Sequence, residues 1–285
     1  MRFTLHLDGM ISRRSPATKI SAIVSDVDGT VVTDDKRLTE RSRAAVSAVR
    51  QSGLPLCLIS SRPPRGFAQL RSVLEIVTPC AGFNGGVIVA PDGSVIEQHL
   101  LPSQRARDTV GFLTEHGIDI WLFSGPDWLL TNTAGPYIDH EKRTVGFDPV
   151  VVRDFALALD SAAKIVGVSK DFDLLARCEI ALAKMMGDSA SVARSQLYYL
   201  DTTAPLANKG AGMLALASQI GVPPAEIAVI GDGGNDVAMF EHAGLSIAMG
   251  NAQPAVKAQA DLVTWSNAED GFAMAIERFI LGGER

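Results

Sequence analysis

Asp26 and Asp28, two residues apart in Asp26-Val-Asp28-Gly-Thr30, are the side chains best placed to do chemistry in this chain of 285 residues. They close the apolar run at residues 20–25, which predicts a buried strand. An ionised carboxylate loses several kcal/mol on leaving water, so a buried pair needs a cation or protons to compensate. The C-terminal lip of a parallel strand offers that compensation, because open α/β sheets collect ligands and metals there. The motif reads as a nucleophile and a general acid/base beside a bound Mg2+. The competing structural reading is a strand that ends in an Asp-Gly turn.

A second acidic cluster follows the apolar run at residues 227–230: Gly231-Asp232-Gly-Gly-Asn235-Asp236. Asp232 can complete a metal site with Asp26, Asn235 can donate a hydrogen bond, and Asp236 can orient a lysine. Ser60 ends another apolar run, where its hydroxyl and the neighbouring amides can hold a phosphoryl oxygen at a helix N-terminus. Lys209 opens a predicted helix, an unfavourable place for a cation against the helix dipole, which points to a functional lysine.

The elements that must position these residues alternate between strand and helix. Thr39 reads as the N-cap of a helix with Ala45, Val46 and Val49 on one face, and Gly53 as its C-terminal residue. A strand at 54–59 and a helix carrying Phe67, Leu70, Val73 and Leu74 come next. From residue 208 the alternation resumes, with a helix at 209–220 and strands at 227–231, 245–249 and 261–264. Such alternation predicts a doubly wound parallel sheet. Residues 87–205 read differently, as an inserted α+β block. It opens with a hairpin at 87–96 and carries strands near 118–123, 128–131, 164–169 and 195–200, with helices near 103–115 and 174–186. The expected organisation is a tail at 1–20, a core at 21–86 and 206–285, and an inserted cap at 87–205.

The net charge is -6 with no strongly basic patch, which argues against nucleic acid as the main partner. No apolar run approaches the ~20 residues of a membrane helix. Cys57, Cys80 and Cys178 are widely spaced, which suits reduced thiols, a cytoplasmic setting and neither a disulfide frame nor a zinc site.

Taken in order, DVDGT, the Ser of LISSRP, the Lys of NKG and GDGGND resemble the four motifs of the haloacid dehalogenase superfamily. The long insertion is similar to the cap of its Cof-type branch, subfamily IIB. Asn84-Gly-Gly86 resembles the junction into that cap. Ala248-Met-Gly-Asn251 and Ser266-Asn-Ala-Glu-Asp-Gly271 resemble C-terminal signatures of the branch. Ser60-Ser61-Arg62 stands where the branch usually has Thr-Gly-Arg, and Asp201 stands where it more often has Glu.

The resemblance implies a Rossmann-like core with an inserted α+β cap, and a Mg2+-dependent phosphatase of small phosphorylated metabolites, sugar phosphates foremost. A phosphotransferase or phosphomutase, or a catalytically silent metabolite binder, are the alternatives. Asp26 would be the nucleophile and Asp28 the acid/base. Asp26, Asp232 and the backbone carbonyl of Asp28 would hold Mg2+. Ser60 and Lys209 would hold phosphoryl oxygens, with Ser61 beside them. Thr30 would orient Asp28 or its loop, Asn235 would meet the phosphate or metal shell, and Asp236 would orient Lys209. Asn84, Trp128, Tyr137, His140 and Arg143 are candidate substrate contacts, with Glu141 and Lys142 in the same charged loop. A monomer or homodimer without membrane attachment is expected.

Overall fold

The computed structural model describes residues 19–282, so the expected tail lies almost wholly outside the described residues. In chain order the strands are β1 (Ala22–Ser25), β2 (Leu56–Leu58), β3 (Cys80–Gly82), β4 (Val87–Val89), β5 (Val95–Gln98), β6 (Asp119–Ser124) and β7 (Asp127–Leu130). They continue as β8 (Val150–Val151), β9 (Ala162–Val168), β10 (Ser191–Gln196), β11 (Tyr199–Thr203), β12 (Ile227–Gly231), β13 (Leu245–Ala248) and β14 (Leu262–Val263).

Every residue of β1, β2 and β12 is buried, which is why these strands read as unbroken apolar runs: helices cover both faces of their sheet. That sheet has the order β14-β13-β12-β1-β2, and all its pairs are parallel. The chain leaves β1 toward β2 and returns much later to β12 on the opposite side of β1. The crevice at the ends of β1 and β12 is therefore the topological switch point, where such sheets bind ligands. Thr39 caps the helix Glu40–Gln51 by accepting a hydrogen bond from the amide of Ser42, and Gly53 (φ +78°) takes the left-handed turn that follows it. Asn208 caps the helix Lys209–Ile220 by accepting from the Ala211 amide at 2.9 Å.

The insertion is built on a second sheet, ordered β10-β11-β9-β6-β7-β8 and antiparallel except at β7–β8. Side chains alternate along β9. Ile165 joins a cluster with Leu113, Leu175 and Leu182 of the helices Ser103–Glu115 and Phe172–Met186, whereas Val166 joins Trp121 and Trp128 on the other face. That second face reaches the core through Phe83, whose ring lies 5.5 Å from that of Phe123.

Three segments differ from the sequence expectation. The hairpin β4–β5, expected to open the inserted block, pairs with β3, and a parallel bridge from Ile59 to Ala81 ties β3 to the core sheet. Ile88 sits accordingly in the core cluster with Ala81 and Ile59. The single strand expected at 195–200 is a hairpin, β10 and β11, with its turn between Gln196 and Tyr199. Residues 139–143, read as a charged loop, lie in the helix Ile138–Val145, which buries only its two end residues. All three cysteines are buried and unpaired. Among the described residues no helix is long and apolar enough to cross a membrane.

Candidate active site

Asp26 follows β1 directly and is 4% exposed. Asp232 follows β12, and the amide of Asp26 donates to the carbonyl of Ile230, so the parallel pairing sets the two acids side by side. Lys209 enters from the helix it opens and is 2% exposed. Its Nζ lies 2.5 Å from Asp26 Oδ1 and 2.5 Å from Asp236 Oδ1. The other oxygen of Asp236 accepts from the amides of Asp232 (2.9 Å) and Gly233 (2.8 Å). A lysine at a helix start is thus held by two carboxylates, which outweigh both burial and the dipole.

Carboxylate oxygens of Asp26, Asp232 and Asp236 all lie within 4.8 Å of one another. Burial, reinforced by the charges of Asp236 and Asp232, pushes the Asp26 carboxyl well above the usual range against the pull of Lys209. Burial and the charge of Asp236 push Asp232 up to about 6. Burial opposes the charge of Lys209, but Asp236 and Asp26 overcome it and raise its pKa. Crowded, partly desolvated carboxylates with oxygen donors only are what a hard divalent cation relieves.

Asp28 is held elsewhere. Arg62 grips both its oxygens, with Nε 2.7 Å from Oδ2, and Lys36 Nζ lies 2.7 Å from Oδ1. Burial works to raise its pKa, but the Arg62 hydrogen bonds and the charges of Arg62 and Lys36 win and lower it. The side chain is not among the three converging carboxylates.

Ser60 is fully buried and its Oγ accepts from the amide of Arg62 at 3.1 Å. Thr30, expected to orient Asp28 or its loop, donates to Asp232 Oδ1 at 3.1 Å. Asn235 donates to Asn84 Oδ1 at 3.0 Å. Gly29 (φ +79°) brings the backbone so close to Asp232 that a Cβ there would collide with its carboxylate.

A cavity of about 900 Å³ opens between the end of the parallel sheet and the cap, with Ser60 and Thr30 buried behind its lining. Asp26, Asp28, Ser61, Asn84, Lys209, Asp232, Asn235 and Asp236 line it, as does His140 from the cap. Trp128 does not. It is fully buried in the cap sheet, its ring 4.9 Å from that of Trp121, because the aromatic side of β7 faces the sheet's own core. Arg143 is exposed and outside the lining; Tyr137 lines an adjoining cleft that shares His140 and stacks (4.2 Å) on Tyr198, which does line the cavity. The sequence reading missed Asn251, which donates to the Gly29 carbonyl (3.0 Å) and to Asp232 Oδ2 (3.2 Å). Asn251 is itself held by the amide of Asn267 at 2.9 Å. It also missed the grip of Arg62 and Lys36 on Asp28. The position of Asn251 after the buried strand β13 was the available signal.

Residues 23–276 match the sequence profile of the haloacid dehalogenase-like hydrolases. A haloacid dehalogenase-like hydrolase from Bacteroides thetaiotaomicron superposes with a TM-score of 0.85 at 30% identity, covering 91% of this chain and 99% of that one. The 5-amino-6-(5-phospho-D-ribitylamino)uracil phosphatase YcsE of Bacillus subtilis is 25% identical over 92% of this chain and 96% of its own length. A subclass IIB sugar phosphatase shares the fold, with a TM-score of 0.78 at 22% identity over 91% of this chain and 98% of that one.

Proposed function

The chain belongs to the haloacid dehalogenase-like hydrolases, and on that premise we propose that it is a Mg2+-dependent phosphatase of small phosphorylated metabolites, sugar phosphates among them. The observation that carries this reading is the convergence of Asp26, Lys209 and Asp232 at the switch point of the parallel sheet, in the wall of a metabolite-sized cavity. The names of the relatives, a phosphoribitylaminouracil phosphatase and a sugar phosphatase, support it.

In this reading Asp26 attacks phosphorus, the ester P–O bond breaks and an aspartyl phosphate forms. Asp28 gives a proton to the departing oxygen. It then takes one from the water that hydrolyses the intermediate, which frees orthophosphate and restores the Asp26 carboxylate. Since Arg62 and Lys36 hold Asp28 as a carboxylate, Asp28 must take up a proton from solvent as substrate binding loosens those pairs, and only then can it donate. Lys209 and Ser60 fix phosphoryl oxygens, Asp236 orients Lys209, and Thr30 and Asn251 orient Asp232. Asp26, Asp232 and the Asp28 carbonyl would hold Mg2+, which when bound offsets the repulsion between the anionic nucleophile and the anionic phosphate. Residues 21–86 and 206–285 form the core in this reading, with the hairpin β4–β5 counted with it, and the rest of 87–205 forms the cap.

The test is phosphate release from a panel of phosphorylated metabolites with and without Mg2+. Release that needs Mg2+ and is lost in Asp26→Asn is the expected result. Near-normal release by that variant would sink the covalent mechanism.

A further inference from the structure

The cavity wall facing Asp26 carries polar groups that the phosphoryl chemistry does not use. The helix Ile138–Val145 supplies Glu141, β9 supplies Lys164, and β11 supplies Tyr199 and Asp201. Lys164 Nζ lies 2.6 Å from Asp201, and both side chains are nearly buried, at 12% and 13% exposed. The hydroxyl of Tyr199 donates to Glu141 Oε2 at 3.2 Å. Asp201 Oδ1 is buried without a hydrogen-bond partner, an unmet acceptor that adds to the negative charge of this wall.

The charges of this wall do not balance. Each lysine and arginine lining the cavity is already paired: Lys36 and Arg62 on Asp28, Lys164 on Asp201, Arg194 on Glu179, and Lys209 on Asp26 and Asp236. Glu141 makes no ion pair among the described residues. Burial raises its pKa, with Lys164 pulling the other way. Partly desolvated and facing the cavity, Glu141 has the Tyr199 hydroxyl for its hydrogen bond and feels Lys164 and Arg62 only from beyond ion-pair distance. Beside Glu141 and Asp201 a second anion would meet two carboxylates and one cation, Lys164, that is already paired to Asp201, whereas hydroxyl or ammonium hydrogens would satisfy Glu141.

Resting on the phosphatase reading, we propose that Glu141 and Asp201 select the leaving group by charge, accepting a neutral polyhydroxy or amine-bearing one and rejecting one that carries a further anion. Neither residue touches the transferred phosphate, so they set specificity rather than chemistry.

Three six-carbon phosphates separate the cases: glucosamine 6-phosphate, glucose 6-phosphate and 6-phosphogluconate, with sorbitol 6-phosphate as the neutral open-chain control for the last. For the wild-type protein with Mg2+, kcat/KM for 6-phosphogluconate is expected to be about tenfold or more below that of glucose 6-phosphate. Glucosamine 6-phosphate is expected to equal or exceed glucose 6-phosphate. Glu141→Gln should close most of the gap to 6-phosphogluconate while turnover of p-nitrophenyl phosphate, which has no group to meet the wall, stays within about threefold. Asp201→Asn is the second variant and should narrow the same gap. An anionic substrate turned over as well as the neutral one, or a gap that both variants leave intact, would overturn the proposal while leaving the phosphatase reading standing. Absence of Mg2+-dependent release from every compound, p-nitrophenyl phosphate included, would remove the phosphatase reading instead. Calorimetric binding of the three sugars would then decide: the same order of affinities supports charge selection and equal affinities refute it.

Discussion

The two walls of the cavity are made in opposite ways. On the core side, the fully buried parallel strands β1 and β12 each end in an acid one position beyond the strand, so Asp26 and Asp232 are placed by the pairing of those strands. On the cap side, the polar groups come from a short helix and the middle of two antiparallel strands, and the strands owe their stability to aromatic packing on the sheet face. One wall fixes positions through backbone topology. The other offers a surface whose side chains can change while the sheet beneath is kept. The contrast teaches that reaction and specificity can be altered separately in this molecule.

The sharpest way to break the comparison is at the core wall. Asp26→Asn removes the proposed nucleophile and should lower Mg2+-dependent phosphate release by about 10³-fold or more, measured in steady state, with the folded circular dichroism spectrum retained. Lys209→Met should cost about 10²-fold in kcat through the lost hold on the phosphoryl oxygens. It should also lower stability in urea by about 3–5 kcal/mol, because Asp26 and Asp236 are left buried without their cation. At the cap, Trp128→Ala should cost about 3–5 kcal/mol by opening a cavity in the cap sheet, yet leave kcat for p-nitrophenyl phosphate within a few-fold. If that variant lost turnover as severely as Lys209→Met, the separation of the two walls would fail. The smallest effect expected is that of Asn251→Ala. Loss of its hydrogen bond to Asp232 should raise the Mg2+ concentration for half-maximal activity by about tenfold without changing kcat at saturation.

The same contrast explains what could be read from the chain beforehand. The parallel strands were legible because burial on both faces forces unbroken apolar runs, and the acids that end them stand out against those runs. The cap was legible only in outline. The helix Ile138–Val145 passes for a loop because only its end residues are buried, which leaves no apolar period between them. The strand β10 is an edge strand with mostly exposed residues, so its hairpin with β11 merged into one predicted strand. Trp128 was named for substrate because a large aromatic near a charged loop suggests a binding surface, but the alternation of β7 turns it inward. The Asp28–Arg62 pair spans 34 positions, and the Asn251–Asp232 contact joins two strand-end loops, so no local pattern announces either.

The pairing of β1 with β12 has a consequence for the history of each molecule. Residues 22–25 lie against 227–230, and Lys209 meets an Asp26 that left the ribosome 183 residues earlier. The cap can fold as soon as it emerges, since its sheet draws on a continuous stretch of chain. Asp26 and Asp232, in contrast, remain separate until β12 has been made and the long loop between them has closed. A chain stalled between the cap and β12 would therefore hold the cap wall of the cavity without the pairing that brings Asp26, Lys209 and Asp232 together.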